Sequence, residues 1–195
     1  MNVSEFLGSL NVIDVMIVIG LFAFFVLGYV QGAVRRLVGI ASMTFSFFLA
    51  AQLSLPFGAF LGENWTQFPR EYSSMIGFLV IFVAAVVAFT LVIQGTYNKV
   101  EIFARHPLVD EVTGGFLGLV QGALVLMFLV IILDQYFLLT NFAPDEDELR
   151  FLRDAWQAID GSATGDLLHK TVIPNFLGLV SFLIPQSVLA LYQLA

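Results

Sequence analysis

The chain has 195 residues, 59% of them hydrophobic and 12% charged, with a mean hydropathy of +0.92. A soluble helical protein needs a polar face on most helices, because a helix in water buries only one stripe, and this composition excludes that for most of the length. The net charge of -7 is localised in a segment carrying Asp145, Glu146, Asp147, Glu148, Asp154 and Asp160, which argues against a general acidic surface; with no cysteine, disulfides, thiolate metal sites and cysteine nucleophiles are excluded.

Five stretches carry no charged side chain: 15–34, 37–62, 72–98, 112–133 and 171–195. A helix needs about 20 consecutive apolar residues to cross the hydrocarbon core, and each charge at mid-depth costs roughly 2.5–3.5 kcal/mol on insertion scales. The first four stretches meet that requirement. They predict an all-α integral membrane protein with spans at about 12–28, 33–56, 75–97 and 112–134 in a domain of residues 1–139, followed by an amphipathic and interfacial helical tail at 140–195.

A cleaved signal peptide would need a basic leading region, and residues 1–11 carry only Glu5 as a charge, so span one is expected to be a retained anchor. The segment from Gly28 to Arg36 turns the chain into span two. Its two glycines allow positive-φ geometry, and Arg35 and Arg36 are long enough to reach lipid headgroups. Pro56 is expected to end or bend span two. Arg35, Arg36, Lys99 and Arg105 concentrate at the loops after spans one and three, whereas the loop after span two has Arg70 against Glu63 and Glu71. The positive-inside rule therefore places those basic loops in the cytoplasm and both termini outside.

Beyond Asp134 the pattern changes. Pro144 followed by four carboxylates is a helix start, since proline suits the first turn and acids favour the positive end of the helix dipole. Leu149, Leu152, Trp156 and Ile159 then recur on one face, opposite Arg150, Arg153 and Asp154. An acidic amphipathic helix suits anionic lipid poorly, so packing across the mouths of the spans is expected. In 171–195, Pro174 and Pro185 divide the run into two short interfacial or re-entrant helices, with a kinked fifth span as the alternative.

Gly114, Gly118 and Gly122 line one face of span four, and Gly28 and Gly32 repeat the spacing at the end of span one. In lipid, helices associate by close van der Waals packing, which small residues permit; the seam can join helices within one subunit or join protomers. Gly28-x-Val30-Gln31-Gly32-Ala33 also matches Gly118-x-Val120-Gln121-Gly122-Ala123, a short string compatible with an internal repeat or with chance. Ionisable groups at membrane depth are functional candidates, and Asp14 and Asp134 fall near the same surface. They read as interfacial carboxylates that cap helices or meet water, against a proton or cation site. The deeper polar groups, Gln121 among them, are neutral and expected to bond across helices or to backbone carbonyls.

No zinc-protease, phosphate-loop or nucleophile-elbow motif occurs. No basic stripe suggests nucleic acid. Cofactors and metals are not expected.

Asn11-Val12-Ile13-Asp14 opening span one, with Gln31-Gly32-Ala33-Val34-Arg35 at the first turn, resembles the colicin V production protein (CvpA) family, whose members begin with an Ile-Asp-like pair and turn at an Arg-Gly-Phe-x-Arg-Glu-like segment. Asp110-Glu111-x-x-Gly114-x-x-x-Gly118-x-x-Gln121-Gly122 is similar to that family's Asp-Arg-x-x-Gly-x-x-x-Gly-x-x-Arg-Gly pattern. Gln31, Gln121 and Glu111 stand where the family has arginine. The resemblance implies a non-enzymatic four-span protein of the bacterial inner membrane, linked to toxin production or export and to envelope homeostasis. The expected partners are the lipid bilayer and a second copy or another membrane protein. Gly28, Gly32, Arg35, Asp110, Gly114, Gly118 and Gly122 are the assembly candidates, with Asp14, Gln121 and Asp134 as polar contacts. A small channel or transporter component, with a polar path through Asp14, Asp134, Gln94 and Gln121 between protomers, is the rival.

Overall fold

The computed structural model describes residues 11–65, 72–96, 107–137 and 150–192, and these are helical with no strand among them. Four helices are long and apolar enough to cross a membrane: α1 (Val12–Gln31), α2 (Ala33–Asn64), α3 (Ser73–Thr96) and α4 (Pro107–Phe137). The tail comprises α5 (Arg150–Asp160), α6 (Ala163–Leu167), a π-helical turn (Leu168–Val172), α7 (Ile173–Leu179), a 3-10 turn (Ser181–Leu183) and α8 (Gln186–Leu191). The loop residues Arg70, Lys99, Arg105 and His106, the helix start at Pro144 and Leu149 lie outside the described residues, as does the side chain of Gln94.

At 1.5 Å per residue α1 is about 30 Å long, the thickness of the hydrocarbon core, whereas α2 and α4 reach about 46–48 Å. The two long helices therefore tilt in the bilayer or project beyond it. α1 packs along α4, α2 along α3, and α2 and α4 against each other, so α4 stands between α1 and the α2–α3 pair. Val15, Ile19, Phe22 and Val26 on the free side of α1 are exposed, as befits a surface whose solvent is lipid.

Two boundaries differ from the sequence expectation. Gly28 lies inside α1, and the turn is a single residue, Gly32, which ends α1 and begins α2 at φ +79. Pro56 does not end span two, which continues to Asn64. Proline is tolerated there because neighbouring helices support the chain in lipid. Directly beyond it, Gly58 lies against the backbone of Ser73 and Ser74, and Gly77 lies against Gly58 and Ser54.

The core is aromatic. Phe47 of α2 stacks on Phe128 of α4 with ring centroids 4.1 Å apart, and Phe78 of α3 lies 5.4 Å from Phe47. Phe176 of α7 joins them at 5.8 Å from Phe128. Buried Leu168, Ile173, Leu177, Ile184, Val188 and Leu189 of the tail belong to the same cluster as the spans. Helical structure runs unbroken from 163 to 179 through Pro174, and Pro185 precedes α8. Pro174 opens α7 immediately after the π-helical turn, where a missing N–H and a ring clash disfavour the ordinary helical bond.

Candidate functional site

The polar and glycine residues singled out in the sequence gather at three places. The first is the α1–α4 seam. A Cβ added at Gly28 would sit 2.2 Å from the carbonyl oxygen of Gly114, one at Gly114 would sit 2.5 Å from that of Gly28, and one at Gly118 would sit 2.2 Å from that of Phe24. Gly122 faces the side chains of Phe24 and Leu21. The two backbones touch, so this glycine face is occupied within one chain.

The seam ends at the turn. A Cβ on Gly32 would collide with Asp110, whose carboxylate accepts the Ala33 N–H at 3.2 Å. Asp110 thus satisfies one of the orphan N–H groups at the start of α2 from another helix. Asp110→Ala is expected to cost about 1 kcal/mol, the usual value of a lost N-cap. Denaturant titration of the variant checks this, and an unchanged stability would show that the contact contributes nothing.

The second place is a cleft of about 190 Å³ between α2, α3 and α4, lined by Gln31, Arg35, Arg36, Gly39, Thr90 and Gln121 among others. Arg35 is exposed there, but Arg36 turns inward and is only 6% exposed. The expectation that both arginines extend to the lipid surface is corrected for Arg36. Its Nη1 donates to Gln121 Oε1 at 2.6 Å, while its buried Nε has no acceptor. Gln121 bonds across helices, and Ser42 and Ser46 bond to carbonyls of their own helix, Val38 and Ser42.

The third place is the opposite end of the bundle, where Asp14 and Asp134 hold the tail. Both are buried, at 1% and 0% exposure, so neither meets water. Asp14 caps its own helix through the Asn11 N–H at 3.0 Å, while Asn11 Oδ1 accepts from the Ile13 and Asp14 N–H groups. The same carboxylate accepts from Ala163 N–H, Thr164 N–H and Thr164 Oγ1, at 3.3, 2.9 and 2.7 Å. One aspartate therefore serves the N-termini of α1 and α6, and four donors use the lone pairs that an ionised carboxylate offers. Ser162 completes the α6 cap by accepting from Gly165 N–H at 2.9 Å.

Asp134 Oδ1 accepts from Trp156 Nε1 at 2.7 Å, and Oδ2 lies 3.0 Å from His169 Nε2 and accepts from the Tyr192 hydroxyl. α5, the π-helical turn and the end of α8 thus converge on one carboxylate. Trp156 also stacks on Phe137 with centroids 5.5 Å apart, placing the apolar face of α5 on the end of α4. Asp134 holds the His169 pKa above its ordinary value, with Asp160 and Asp166 adding to the effect against the opposing cost of burial. Burial, followed by the Asp134 charge, pushes the Tyr192 hydroxyl far above its ordinary range, so it stays a donor. Gln52 of α2 adds a further tie, donating to the Leu183 carbonyl at 2.8 Å.

Sequence reasoning did not single out His169, Tyr192, Thr164, Gly58 or Gly77 for these roles. Their partners lie on other elements, often far away in sequence, and apart from Gly58, four residues before Gly62, no local period marks them. Among the described residues no group of three His, Asp or Glu side chains could hold a metal ion.

The fold and these contacts define a polytopic helical membrane protein whose tail is hydrogen-bonded into the end of its own span bundle. The family model described as Colicin V production protein matches residues 13–157, and the chain belongs to that family. The match takes in Asp14, the glycine seam, Asp110, Gln121, Asp134 and Trp156; Thr164, His169 and Tyr192 lie beyond it. No curated protein and no solved structure gives a significant match.

Proposed function

We propose that this protein is a non-catalytic component of the bacterial inner membrane that supports production or export of a colicin-V-type peptide toxin and upkeep of the envelope. It acts by helix-packed assembly with itself or a partner membrane protein. Family membership supports the toxin connection. The observation that carries the non-catalytic reading is the use of Asp14 and Asp134: each carboxylate accepts hydrogen bonds from the chain's own tail and so is spent on holding the fold. A catalytic carboxylate needs a lone pair or proton free for substrate, and Asp14 has four donors on it. With the glycine face of α4 covered by α1, assembly uses the lipid-facing sides of the spans or the exposed tail residues Leu179 and Phe182.

The test is deletion of the gene in a toxin-producing strain, with complementation by the parent gene and by Asp134→Leu. Deletion should lower toxin in the medium and raise sensitivity to detergent, the parent should restore both, and the tail-released variant should restore neither. Normal toxin yield and normal detergent resistance in the deletion strain would overturn the reading. Ion flux through the purified protein in liposomes would favour the channel alternative.

A further inference from the structure

The cleft beside the α1–α2 turn has a one-sided chemistry. Among the described residues it is lined by two arginines, the amide of Gln121 and the hydroxyl of Thr90, and by no carboxylate. Arg36 is more than nine-tenths buried, makes one hydrogen bond to a neutral amide, and leaves its Nε without an acceptor. Among the described residues, neither Arg35 nor Arg36 forms a salt bridge. Asp110 is engaged with the Ala33 N–H and stays outside the cleft lining. The carbonyl of Gln121 is taken by Arg36, which leaves its NH2 group to donate. Gly39 keeps the wall thin, since a Cβ there would sit 3.2 Å from Gln121 Nε2.

A buried guanidinium is normally paired, and its planar fork suits the oxygens of phosphate. Arg36 stands one turn inside α2, which places the cleft near the boundary of hydrocarbon and headgroups. We propose that this cleft binds a phosphate group, with Arg36 as the inner cation and Arg35 as the outer one. The phosphate belongs to an anionic phospholipid headgroup or to a free phosphate species, and the two sources share the same donors.

The test uses the full-length protein in detergent, read by native mass spectrometry after addition of phosphatidylglycerol or phosphatidylcholine, and by thermal midpoint with and without inorganic phosphate. The parent should retain phosphatidylglycerol and shed phosphatidylcholine. Arg35→Gln, an exposed change that leaves the core intact, should weaken retention about fivefold, the value of one cation at an anionic lipid surface. Arg36→Gln should weaken it about tenfold or more, as for a charge-assisted hydrogen bond. Arg150→Gln, at the other end of the bundle, should leave it unchanged. A rise in midpoint with inorganic phosphate that Arg35→Gln removes would support the site and identify the free species as its ligand. Equal phosphatidylglycerol retention by parent and Arg35→Gln, or equal losses in Arg35→Gln and Arg150→Gln, overturns the lipid arm. If inorganic phosphate also fails to shift the midpoint, the proposal falls.

Discussion

Gly118→Ala is expected to lower the thermal midpoint by about 5–10 °C, whereas Gly20→Ala leaves it unchanged or raises it slightly. The two glycines have the same chemistry and both stand in membrane helices, but their surroundings differ. At Gly118 a methyl group would lie 2.2 Å from the Phe24 carbonyl oxygen, 3.0 Å from its carbon and 3.2 Å from Gly28 Cα, all backbone atoms that cannot rotate away. At Gly20 nothing lies within 4 Å. Overpacking costs about 1–3 kcal/mol where side chains can yield and more where they cannot, and in a chain of this size each kcal/mol corresponds to about 2–4 °C. Gly20→Ala meets no such clash and gains helix propensity, up to about 1 kcal/mol. Because the seam lies inside one chain, Gly118→Ala should lower the midpoint without changing the subunit number seen by native mass spectrometry. An oligomer that dissociates in Gly118→Ala while the midpoint holds would place the seam between protomers and contradict this packing.

The charge-free runs made four membrane helices legible, because burial in lipid forbids charge over a whole helix length and leaves a signal in every residue of the span. The i,i+4 glycines marked a bare face on α4, but that spacing is silent about which backbone lies on it; only the fold brings Gly28 and Phe24 there. Gly58 and Gly77 make a comparable close approach between α2 and α3. Gly58 has Gly62 four residues on, but Gly77 has no second glycine three or four residues away to mark its face. Hydropathy likewise cannot separate Arg35 from Arg36, adjacent residues of one type. Their different fates follow from the helical turn of about 100° per residue, which aims Arg36 at Gln121 and leaves Arg35 exposed. The carboxylates were visible as rare charges near the ends of apolar runs, but their partners in the tail lay 149 and 150 residues away for Asp14, and 22, 35 and 58 for Asp134. Separations of that size have no local pattern. An isolated Asp at a span end suits water equally well in the sequence, and burial by the tail decides the matter.

The tail should dock more tightly at mildly acidic than at alkaline pH, and replacing Asp134 should release it. His169 lies between two acids: its Nε2 is 3.0 Å from Asp134 and its Nδ1 is 3.2 Å from Asp160, with Asp166 acting at longer range and the Trp156 and Tyr192 donors sharing the Asp134 carboxylate. Hydrogen bonding to Asp134 raises the His169 pKa in the docked state above the ordinary 6.5. A raised docked-state value means that docking binds a proton. The stabilisation is complete below about pH 6.5, where His169 is charged with the tail docked or free, and it fades as pH rises through the docked value. His169→Gln keeps a polar side chain but does not titrate, so its docking should lose this pH dependence. Asp134→Leu goes further, because it removes the acceptor of Trp156 Nε1 and the Tyr192 hydroxyl and leaves His169 with Asp160 alone. Removing one partner from a buried charged network costs about 3–5 kcal/mol, enough to undock the tail at any pH. Trp156 reports the event directly once Trp65 is changed to phenylalanine. In denaturant titrations followed by Trp156 fluorescence, the tail transition of the otherwise unaltered protein should move to lower denaturant from pH 6 to alkaline pH. It should stay fixed in His169→Gln and be absent in Asp134→Leu. A pH shift of the same size in His169→Gln would remove His169 from the latch, and a normal tail transition in Asp134→Leu would mean that apolar packing through Ile173 and Leu177 holds the tail without the carboxylate.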